Sequence, residues 1–425
     1  MPGARLALVL LLTINLFNYL DRYVLAAVLT PIGDALLSPD NPAKETLLGA
    51  LTTAFIWSYM ILGIVFGWLA DRWSRWKLVG IGVMLWSLAS GASGLANTYF
   101  ILLLTRCFVG VGEAAYGPVA PAMISDMYPV RIRGRVLAWF YMAIPVGSAL
   151  GYVWGGAMGW PWAFYLVVPP GLLLGLCCFF MREPARGQAD SDAKPPRRLG
   201  WREYRVLLRI PSYIYDTLGM TAMTFAIGGI SALMPHYIVD FRREPDLEQV
   251  NRLFGIIVAV SGLSATLLGG ITGDWLRPRF PGSYFLVSGA AMFVAFPFFI
   301  AALYAPFRPF PWAWICIFLA CFFLFFNTGP TNTILANVTH PAIRATAYAI
   351  NIFVLHALGD AISPTIIGGI NDLTAVNGHR NMNNGFLAVS GMILVGGVLW
   401  LWGARHLQRD TERAPRLLDE LPAVR

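Results

Sequence analysis

Charged side chains are scarce in this chain. Only 13% of its 425 residues are Asp, Glu, Lys or Arg, whereas an average soluble domain carries roughly 25%. Hydrophobic residues make up 57% of the chain, and the mean hydropathy is +0.61. This composition excludes an ordinary soluble domain and predicts an integral membrane protein.

The chain also lacks the residue patterns of common metal sites and enzymes. Its five cysteines lie in apolar segments without CxxC spacing, so we interpret them as small buried side chains. HExxH, GxSxG and Walker patterns are absent from the sequence, which argues against an intramembrane enzyme and against ATP as energy source. We therefore expect no metal and no cofactor.

Apolar segments dominate what is present. A membrane-spanning helix needs about 20 mostly apolar residues, and the alternating segments of about 10 residues that build a barrel do not occur. The sequence therefore predicts an all-α membrane protein with twelve transmembrane helices. The segments are centred near residues 18, 58, 87, 111, 145, 171, 225, 262, 293, 324, 356 and 394.

The basic residues follow the topology of such a bundle. The net charge is +8, and most of the 31 Lys and Arg residues lie in alternate loops and at the two ends. This asymmetry is typical of cytoplasmic loops and predicts that both termini are cytoplasmic. Because topology explains the basic character, nucleic acid is not an expected partner. We expect a cell (inner) membrane location if the source is bacterial.

The sequence divides into two related halves. Gly67-Trp-Leu-Ala-Asp71 ends the second segment and Gly270-Ile-Thr-Gly-Asp274 ends the eighth, while a Pro and an Arg open both the fifth and the eleventh. Parallel repeats around a central path are a transporter plan. The predicted parts are a six-helix bundle over 1–181, a cytoplasmic linker over 182–210, a second six-helix bundle over 211–404 and a cytoplasmic tail over 405–425.

Four charged residues stand within apolar segments. Asp21 and Arg22 lie in the first, and Arg106 and Glu113 in the fourth. A charge at mid-bilayer costs about 2.5–3.5 kcal/mol on insertion scales, so such groups pair and face the interior. A rise of about 1.5 Å per residue places Asp21 and Arg22 level with Arg106 or between it and Glu113. We hypothesise that the two carboxylates compete for the two arginines and couple transport to protons; a permanently paired structural cluster is the alternative.

A second set of residues predicts a cytoplasmic contact between the halves. An anion at a helix N-terminus contributes about 0.3–1 kcal/mol, so Asp71 can hold the start of the eleventh helix while the cavity faces outward. Asp274 can act in the same way toward the fifth helix. For Arg72, the positive-inside rule alone would explain a basic residue in this loop. The predicted gating residues are Gly67, Asp71, Arg72, Arg75, Asp126 and Asp274.

Polar residues within the apolar segments suggest the lining of a cavity. The predicted lining residues are Asn15, Asn18, Tyr19, Thr221, Asn327, Thr331 and His356. The second half is otherwise rich in Phe, notably over 320–326, and a charged wall beside an apolar one would suit an amphipathic substrate. The Phe run could instead pack on lipid, and His356 could be a hydrogen-bonded structural residue rather than a proton relay.

Several motifs resemble the major facilitator superfamily. They are GWLADRWSRWK at 67–77, the run from Arg106 to Gly112, and the glycines that follow Pro145. The first segment NYLDRYVLAAVL, with Arg106, Glu113 and the ending AMISDMYP, is similar to the Spinster branch. That resemblance implies export of sphingosine phosphate or lysophospholipids, with proton coupling through Asp21, Arg22, Arg106 and Glu113.

The sequence thus predicts a proton-coupled transporter working by alternating access. Its expected substrate is an amphipathic, lysolipid-like molecule that it exports, and its expected partners are that substrate, protons and membrane lipids, acting on a monomer. A drug/proton antiporter or an organic-acid transporter on the same fold is the alternative. An intramembrane enzyme or a channel would be a different class.

Overall fold

The computed structural model describes residues 3–38, 44–190, 201–243, 247–307, 311–374 and 382–418. These residues form helices, turns and loops, and none of them lies in a strand. The predicted linker is therefore described over 182–190 and 201–210, and the predicted tail over 405–418. The all-α prediction is confirmed for this part of the chain.

Helices follow the apolar segments closely. In the first half they are Ala4–Ala27, Leu29–Leu36, Lys44–Ala70, Arg75–Gly94, Tyr99–Ala114, Val119–Met127, Val130–Tyr141, Ala143–Met158, Trp162–Tyr165 and Val168–Cys178. In the second half they are Pro211–His236, Leu247–Leu276, Ser283–Tyr304, Trp312–Phe325, Thr328–Val338, Arg344–Leu355, Ser363–Leu373, Met382–Gly403 and Leu407–Arg413. Short 3-10 helices are Trp201–Arg209, Pro341–Ile343 and Ala414–Arg416, and π-helical turns are Tyr237–Phe241 and His356–Asp360.

Nine helical stretches of the described residues are long and apolar enough to cross a membrane. The other three predicted centres fall in helices Arg75–Gly94, Val168–Cys178 and Pro211–His236. Val168–Cys178 has only 11 residues, and the other two carry ionisable residues near their N-terminal ends. Helices therefore occupy all twelve predicted positions, while nine of them meet the length and hydropathy expected of a span.

We number the spans from one to twelve by the predicted positions. Two of them are interrupted at equivalent places. The fourth span breaks between Ala114 and Val119, and the tenth breaks between Phe325 and Thr328. A Gly-Pro pair lies at or just after each break, and proline removes a backbone hydrogen bond there. The eleventh span contains a π-helical turn in which Gly359 leaves helical geometry, at φ −102° and ψ −105°. Interrupted helices and π-turns mark functional positions in many transporters.

The chain forms two compact units. Unit 1 comprises Met1–Val130, Trp139–Leu199 and His340–Phe353, and unit 2 comprises Arg131–Ala138, Gly200–Thr339 and Val354–Arg425. Each unit therefore contains a short segment from the other half of the sequence. The predicted boundaries between bundles, linker and tail remain predictions.

Small residues bring the first and fifth spans of unit 1 together. A Cβ added to Gly147 would lie 2.7 Å from the Tyr19 Cβ, and one added to Gly151 would lie 2.5 Å from the Leu20 carbonyl oxygen. Such distances require glycine, because a side chain at either position would displace the neighbouring helix. This packing fixes the first span, which carries Asp21 and Arg22.

Candidate functional site

The charged residues of the first and fourth spans meet inside unit 1. Arg22 Nε donates to Glu113 Oε2 across 2.5 Å, and the Glu113 side chain is fully buried. The Arg22 side chain is 19% exposed. Because the break in the fourth span follows Glu113 directly, the carboxylate lies at the end of helix Tyr99–Ala114. The predicted meeting of these spans is therefore present, with Arg22 and Glu113 as the directly bonded pair.

Aromatic rings surround the Arg22 guanidinium. Its Cζ lies 5.0 Å from the ring centroid of Tyr19, 4.9 Å from that of Phe55 and 4.8 Å from that of Tyr59. Rings at these distances attract a cation through their quadrupoles. The first and second spans thus hold the guanidinium in one position, aimed at Glu113.

Asp21 occupies a different environment from Glu113. Its side chain is 3% exposed, and one carboxylate oxygen accepts a hydrogen bond from the Ser90 hydroxyl of the third span. The other oxygen, Oδ2, is buried without a hydrogen-bond partner. Asp21 also lines a small cavity between the first, third and sixth spans, together with Val83, Ser87 and Gly171 among others.

Arg106 is buried beside these groups with unused hydrogen-bonding capacity. It is 1% exposed, and its Nε and Nη1 have no hydrogen-bond partner. Its Cζ lies 5.5 Å from the ring centroid of Phe55. We call Asp21, Arg22, Arg106 and Glu113 the buried charge cluster. It contains one formed ion pair, and atoms without a hydrogen-bond partner on Asp21, Arg106 and Glu113.

The polar residues predicted to line a cavity are mostly buried. Asn15 donates to the Phe140 carbonyl across 2.8 Å, and Asn18 is 3% exposed. In unit 2, the Thr221 and Thr331 hydroxyls donate to backbone carbonyls one turn earlier, and Asn327 is fully buried. Tyr19 contacts Arg22 as described. Their assignment to a substrate cavity remains a prediction.

His356 lies in the π-helical turn of the eleventh span. Its Nδ1 is 3.1 Å from the Asp360 carboxylate one turn later, and the two side chains are 23% and 29% exposed. This hydrogen bond is compatible with a structural role for His356, which the sequence left open as the alternative to a proton relay. Their partial exposure is also compatible with a polar position on a cavity wall.

Asp71 lies where the second span meets the start of the eleventh, within unit 1. Its carboxylate accepts from the backbone N–H of Ala345 at 3.1 Å and of Thr346 at 3.2 Å, and from the Thr346 hydroxyl. Burial raises the pKa of Asp71 to about 7, while these hydrogen bonds from Thr346 and Ala345 oppose the rise. A Cβ on Gly67 would lie 2.7 Å from that of Ala349, so glycine permits the close approach.

Asp126 joins two arginines beside that contact. One oxygen accepts from Arg75 Nη1 across 2.5 Å, and the other accepts from Arg344. The Arg344 side chain also pairs with Asp190 at 2.8 Å. All of these side chains except that of Asp190 are at most 2% exposed. We call the contacts of Asp71 and Asp126 with segment 344–346 the first latch.

The chain beyond the sixth span reinforces the first latch. Glu183 accepts from the backbone N–H and the Nε of Arg75, both at 3.0 Å, and from Ser74. Burial alone would raise the pKa of Glu183, but these hydrogen bonds from Arg75 hold it below its ordinary value. The Gly187 N–H donates to Asp126 across 3.0 Å. Residues 183–190 therefore belong to the same network.

Unit 2 contains a corresponding contact. Asp274 accepts from the Arg135 N–H across 2.8 Å and from the Tyr284 hydroxyl across 2.7 Å. Arg133, which is fully buried, donates to the Asn337 side-chain oxygen across 2.8 Å. We call the contacts of Asp274 and Asn337 with segment 133–135 the second latch.

Sequence reasoning missed several of these partners. It noted Arg133 and Arg344 only as residues that open helices. Because Asp274 and Asp71 were predicted to contact the starts of those same helices, the two arginines could have been assigned to the latches. It gave no role to Ser90, Asn337, Glu183 or Asp190. No spacing rule connects Ser90 to Asp21, since the two lie 69 residues apart and meet only through packing.

Comparison with known proteins identifies the family of this chain. The sequence model of the Major Facilitator Superfamily matches residues 11–364. The human protein spinster homolog 1 is 34% identical over 97% of this chain and 83% of its own length. The zebrafish sphingosine-1-phosphate transporter SPNS2 is 32% identical over 96% of this chain and 85% of its own length.

Solved structures share the fold. A bacterial homolog of the human lysosomal transporter Spinster, solved in an inward-facing and occupied conformation, aligns with 96% of this chain and 98% of its own, at a TM-score of 0.64 and 22% identity. The human organic anion transporter MFSD10 aligns with 94% of this chain and 100% of its own, at a TM-score of 0.77 and 16% identity. The chain belongs to the major facilitator superfamily and, within it, to the Spinster transporters.

Proposed function

We propose that this Spinster-type membrane transporter exports an amphipathic, lysolipid-like molecule against proton entry, by alternating access. The single observation that carries the proposal is the buried charge cluster. Ionisable residues within membrane spans are costly and mark substrate or proton pathways. A protein of this family is a transporter rather than an enzyme, so a proton pathway through the cluster has a direct use.

Proton coupling is supported by the unequal environments of the two acids. Glu113 is bonded to the Arg22 guanidinium and Asp21 to the neutral Ser90 hydroxyl, and each carboxylate has one oxygen without a hydrogen-bond partner. Adding a proton to Glu113 would weaken its bond to Arg22 and release a guanidinium toward Asp21. Two alternative pairings of one arginine are a bistable element of the kind that transport cycles need.

A lipid-like substrate is supported by two further observations. Unit 2 contains an apolar pocket between the seventh, eighth, ninth and tenth spans, with Ile230, Met234, Phe254 and Phe299 among its lining residues. Hydrocarbon side chains of this kind suit an acyl or sphingoid tail. One relative at 32% identity is a sphingosine-1-phosphate transporter by name, which favours a single-chain phospholipid.

We assign a gating role to the latches. Opening the cytoplasmic side requires the release of segment 344–346 from Asp71 and Asp126, and of segment 133–135 from Asp274. The predicted gating residues Gly67, Asp71, Arg75, Asp126 and Asp274 all contribute to these contacts. Arg72 instead packs on the Trp68 ring, with its Cζ 4.2 Å from the centroid.

Transport in proteoliposomes with an imposed pH gradient tests the proton claim. We expect Asp21→Asn and Glu113→Gln each to lower gradient-driven uptake of a fluorescent lysophospholipid at least tenfold, because each removes one titrating acid. Asp34→Asn and Glu412→Gln are matched controls at exposed acids, and both should transport normally. Full pH-driven transport by both cluster variants would reject proton coupling.

A thermal-shift screen tests the substrate class separately. The purified protein is heated with lysophospholipids, sphingoid phosphates, cationic drugs or small organic acids. Stabilisation by single-chain phospholipids, above that given by a detergent of equal chain length, is expected. A response confined to drugs or to small hydrophilic acids would instead identify a drug/proton antiporter or an organic-acid transporter on the same fold.

A further inference from the structure

One buried acid of unit 2 belongs neither to the buried charge cluster nor to the latches. Asp216 lies on helix Pro211–His236, the seventh span, and its side chain is 0% exposed. Among the residues that the structure describes, neither of its carboxylate oxygens has a hydrogen-bond partner. A rise of about 1.5 Å per residue places Asp216 about 8 Å from the start of the helix. The carboxyl group is therefore enclosed in protein within the first two turns of the span.

The twelfth span presents a neutral donor to this acid. Trp400, on helix Met382–Gly403, is also 0% exposed, and its Nε1 lies beside the Asp216 carboxyl group. The indole N–H likewise has no hydrogen-bond partner in the described part of the chain. A Cβ added to Gly219 would lie 2.3 Å from this Nε1, and residues three apart share a helix face. Glycine therefore lets the indole reach the face of the seventh span that carries Asp216.

None of the neighbouring ionisable groups within the described ranges is paired with Asp216. These groups are Tyr204, Arg205, Arg209, Tyr213, His406 and Asp410. Asp410 accepts from a backbone N–H at the start of the helix across 2.9 Å, and His406 stacks on the Tyr215 ring. The two arginines are exposed, and tyrosines are uncharged at neutral pH. A carboxylate at position 216 would therefore be a buried ion without a counter-charge.

Such an ion is avoided when the acid takes up a proton. Burying an isolated carboxylate costs far more free energy than burying a neutral carboxyl group, so an acid in this environment is neutralised. We propose that Asp216 is a proton-binding site of unit 2, which holds a proton in this conformation and releases it when the seventh span separates from Trp400 and water enters. The inference rests on the proton-coupled alternating access proposed above, and it adds a second proton site to the buried charge cluster.

Infrared spectroscopy of the purified, substrate-free protein tests the protonation directly. A protonated carboxyl group has a C=O stretching band that a carboxylate lacks. At neutral pH, Asp216→Asn should lose part of this band. Asp34→Asn, at an exposed acid, is the matched control and should keep the spectrum of the parent. Identical bands in Asp216→Asn and the parent would overturn the proposal.

The melting temperature is a second readout, and its sign is defined. The folded protein keeps a proton that the unfolded chain releases above about pH 4. The folding equilibrium of the parent should therefore weaken about tenfold per pH unit relative to that of Asp216→Asn. The difference in melting temperature, variant minus parent, should grow from pH 5 to 7. A difference that stays constant over this interval would contradict a bound proton.

Transport in proteoliposomes tests the release step. One coupled proton contributes a factor of about ten to substrate accumulation per pH unit of gradient. Asp216→Asn should therefore accumulate about tenfold less of a fluorescent lysophospholipid under a gradient of one pH unit, while substrate counterflow at equal pH stays at the parent rate. Normal accumulation, or an equal loss of accumulation and counterflow, would overturn the release step.

The outcome is separable from that of the proposed function. The infrared and melting experiments need neither substrate nor a gradient, so they report on Asp216 even if the lipid claim fails. If Asp21→Asn and Glu113→Gln transport normally while Asp216→Asn does not, the coupling site lies in unit 2 and the role assigned to the buried charge cluster is wrong.

Discussion

At the scale of single residues, the Arg22 guanidinium makes most of the contacts described for the buried charge cluster. Arg22 bonds Glu113 through Nε while three aromatic rings approach its Cζ. A flat, delocalised cation suits such a site, whereas an ammonium is a compact point charge on a flexible stem. Arginine at this position is therefore required by shape as well as by charge.

Arg22→Lys tests this requirement. We expect at least a tenfold loss of pH-driven transport, since an ammonium cannot keep the Nε contact to Glu113 while stacked among the rings. Arg205→Lys, at an exposed arginine, serves as control and should behave like the parent. Normal transport by Arg22→Lys would show that charge alone is sufficient.

The pKa of Asp71 makes the first latch sensitive to pH. Its value of about 7 in the latched protein exceeds the ordinary carboxyl value of about 3.9. Between about pH 4 and 7 the latched state therefore binds a proton that the released state does not. The stability that this difference gives to the latched state is complete below about pH 4 and is lost as the pH rises through 7. Hydrogen–deuterium exchange in 344–349, corrected for intrinsic rates, should become faster over this interval.

Asp71→Asn provides the comparison for that pH dependence. The amide cannot titrate, so its exchange in 344–349 should stay constant between pH 5 and 7.5 after the same correction. An equal pH dependence in the parent and in Asp71→Asn would show that another group is responsible.

At the scale of elements, the helices that carry the cluster are positioned by small side chains and by interruptions. Gly147 and Gly151 place the fifth span directly on the first, and the break after Ala114 ends the helix just beyond Glu113. These two glycines allow the close packing of the fifth span on the first. The position of Asp21 and Arg22 therefore depends on a helix that carries no charge of the cluster.

Gly151→Leu should disturb the cluster from a distance. A Cβ there would lie 2.5 Å from the Leu20 carbonyl oxygen, so the first span must move, and overpacking typically costs about 1–3 kcal/mol. We expect a lower melting temperature and slower pH-driven transport. Gly156→Leu, five residues on with no atom within 4 Å of its Cβ position, should have little effect. Equal melting temperatures for the two variants would contradict the close-packing account.

At the scale of the whole molecule, the sequence predicted the positions of the helices better than the particular bonds between side chains. Helices at all twelve positions and the meeting of the first and fourth spans follow from hydropathy and the cost of buried charge. The particular bonds do not. That Arg22 pairs with Glu113 while Asp21 bonds Ser90 depends on how three helices rotate against one another, and helical periodicity fixes only the face of each.

The part played by residues 183–190 illustrates the same limit. Their content of Pro, Gly and charged residues is typical of an ordinary linker. Nothing in the local sequence indicates the contact of Asp190 with Arg344, 154 residues away. The contact forms because the sixth span ends close to Asp126 in the folded protein, so the residues that follow it lie beside that network. Long-range polar networks of this kind are set by tertiary packing and not by local pattern.

The exchange of segments 131–138 and 340–353 makes the duplicated halves interdependent. Neither half of the sequence contains a whole unit, since each unit is completed by a stretch encoded on the opposite side of the linker. The arrangement is comparable to a domain swap between two copies that have become one polypeptide. A severed half would therefore lack a stretch that completes its own unit.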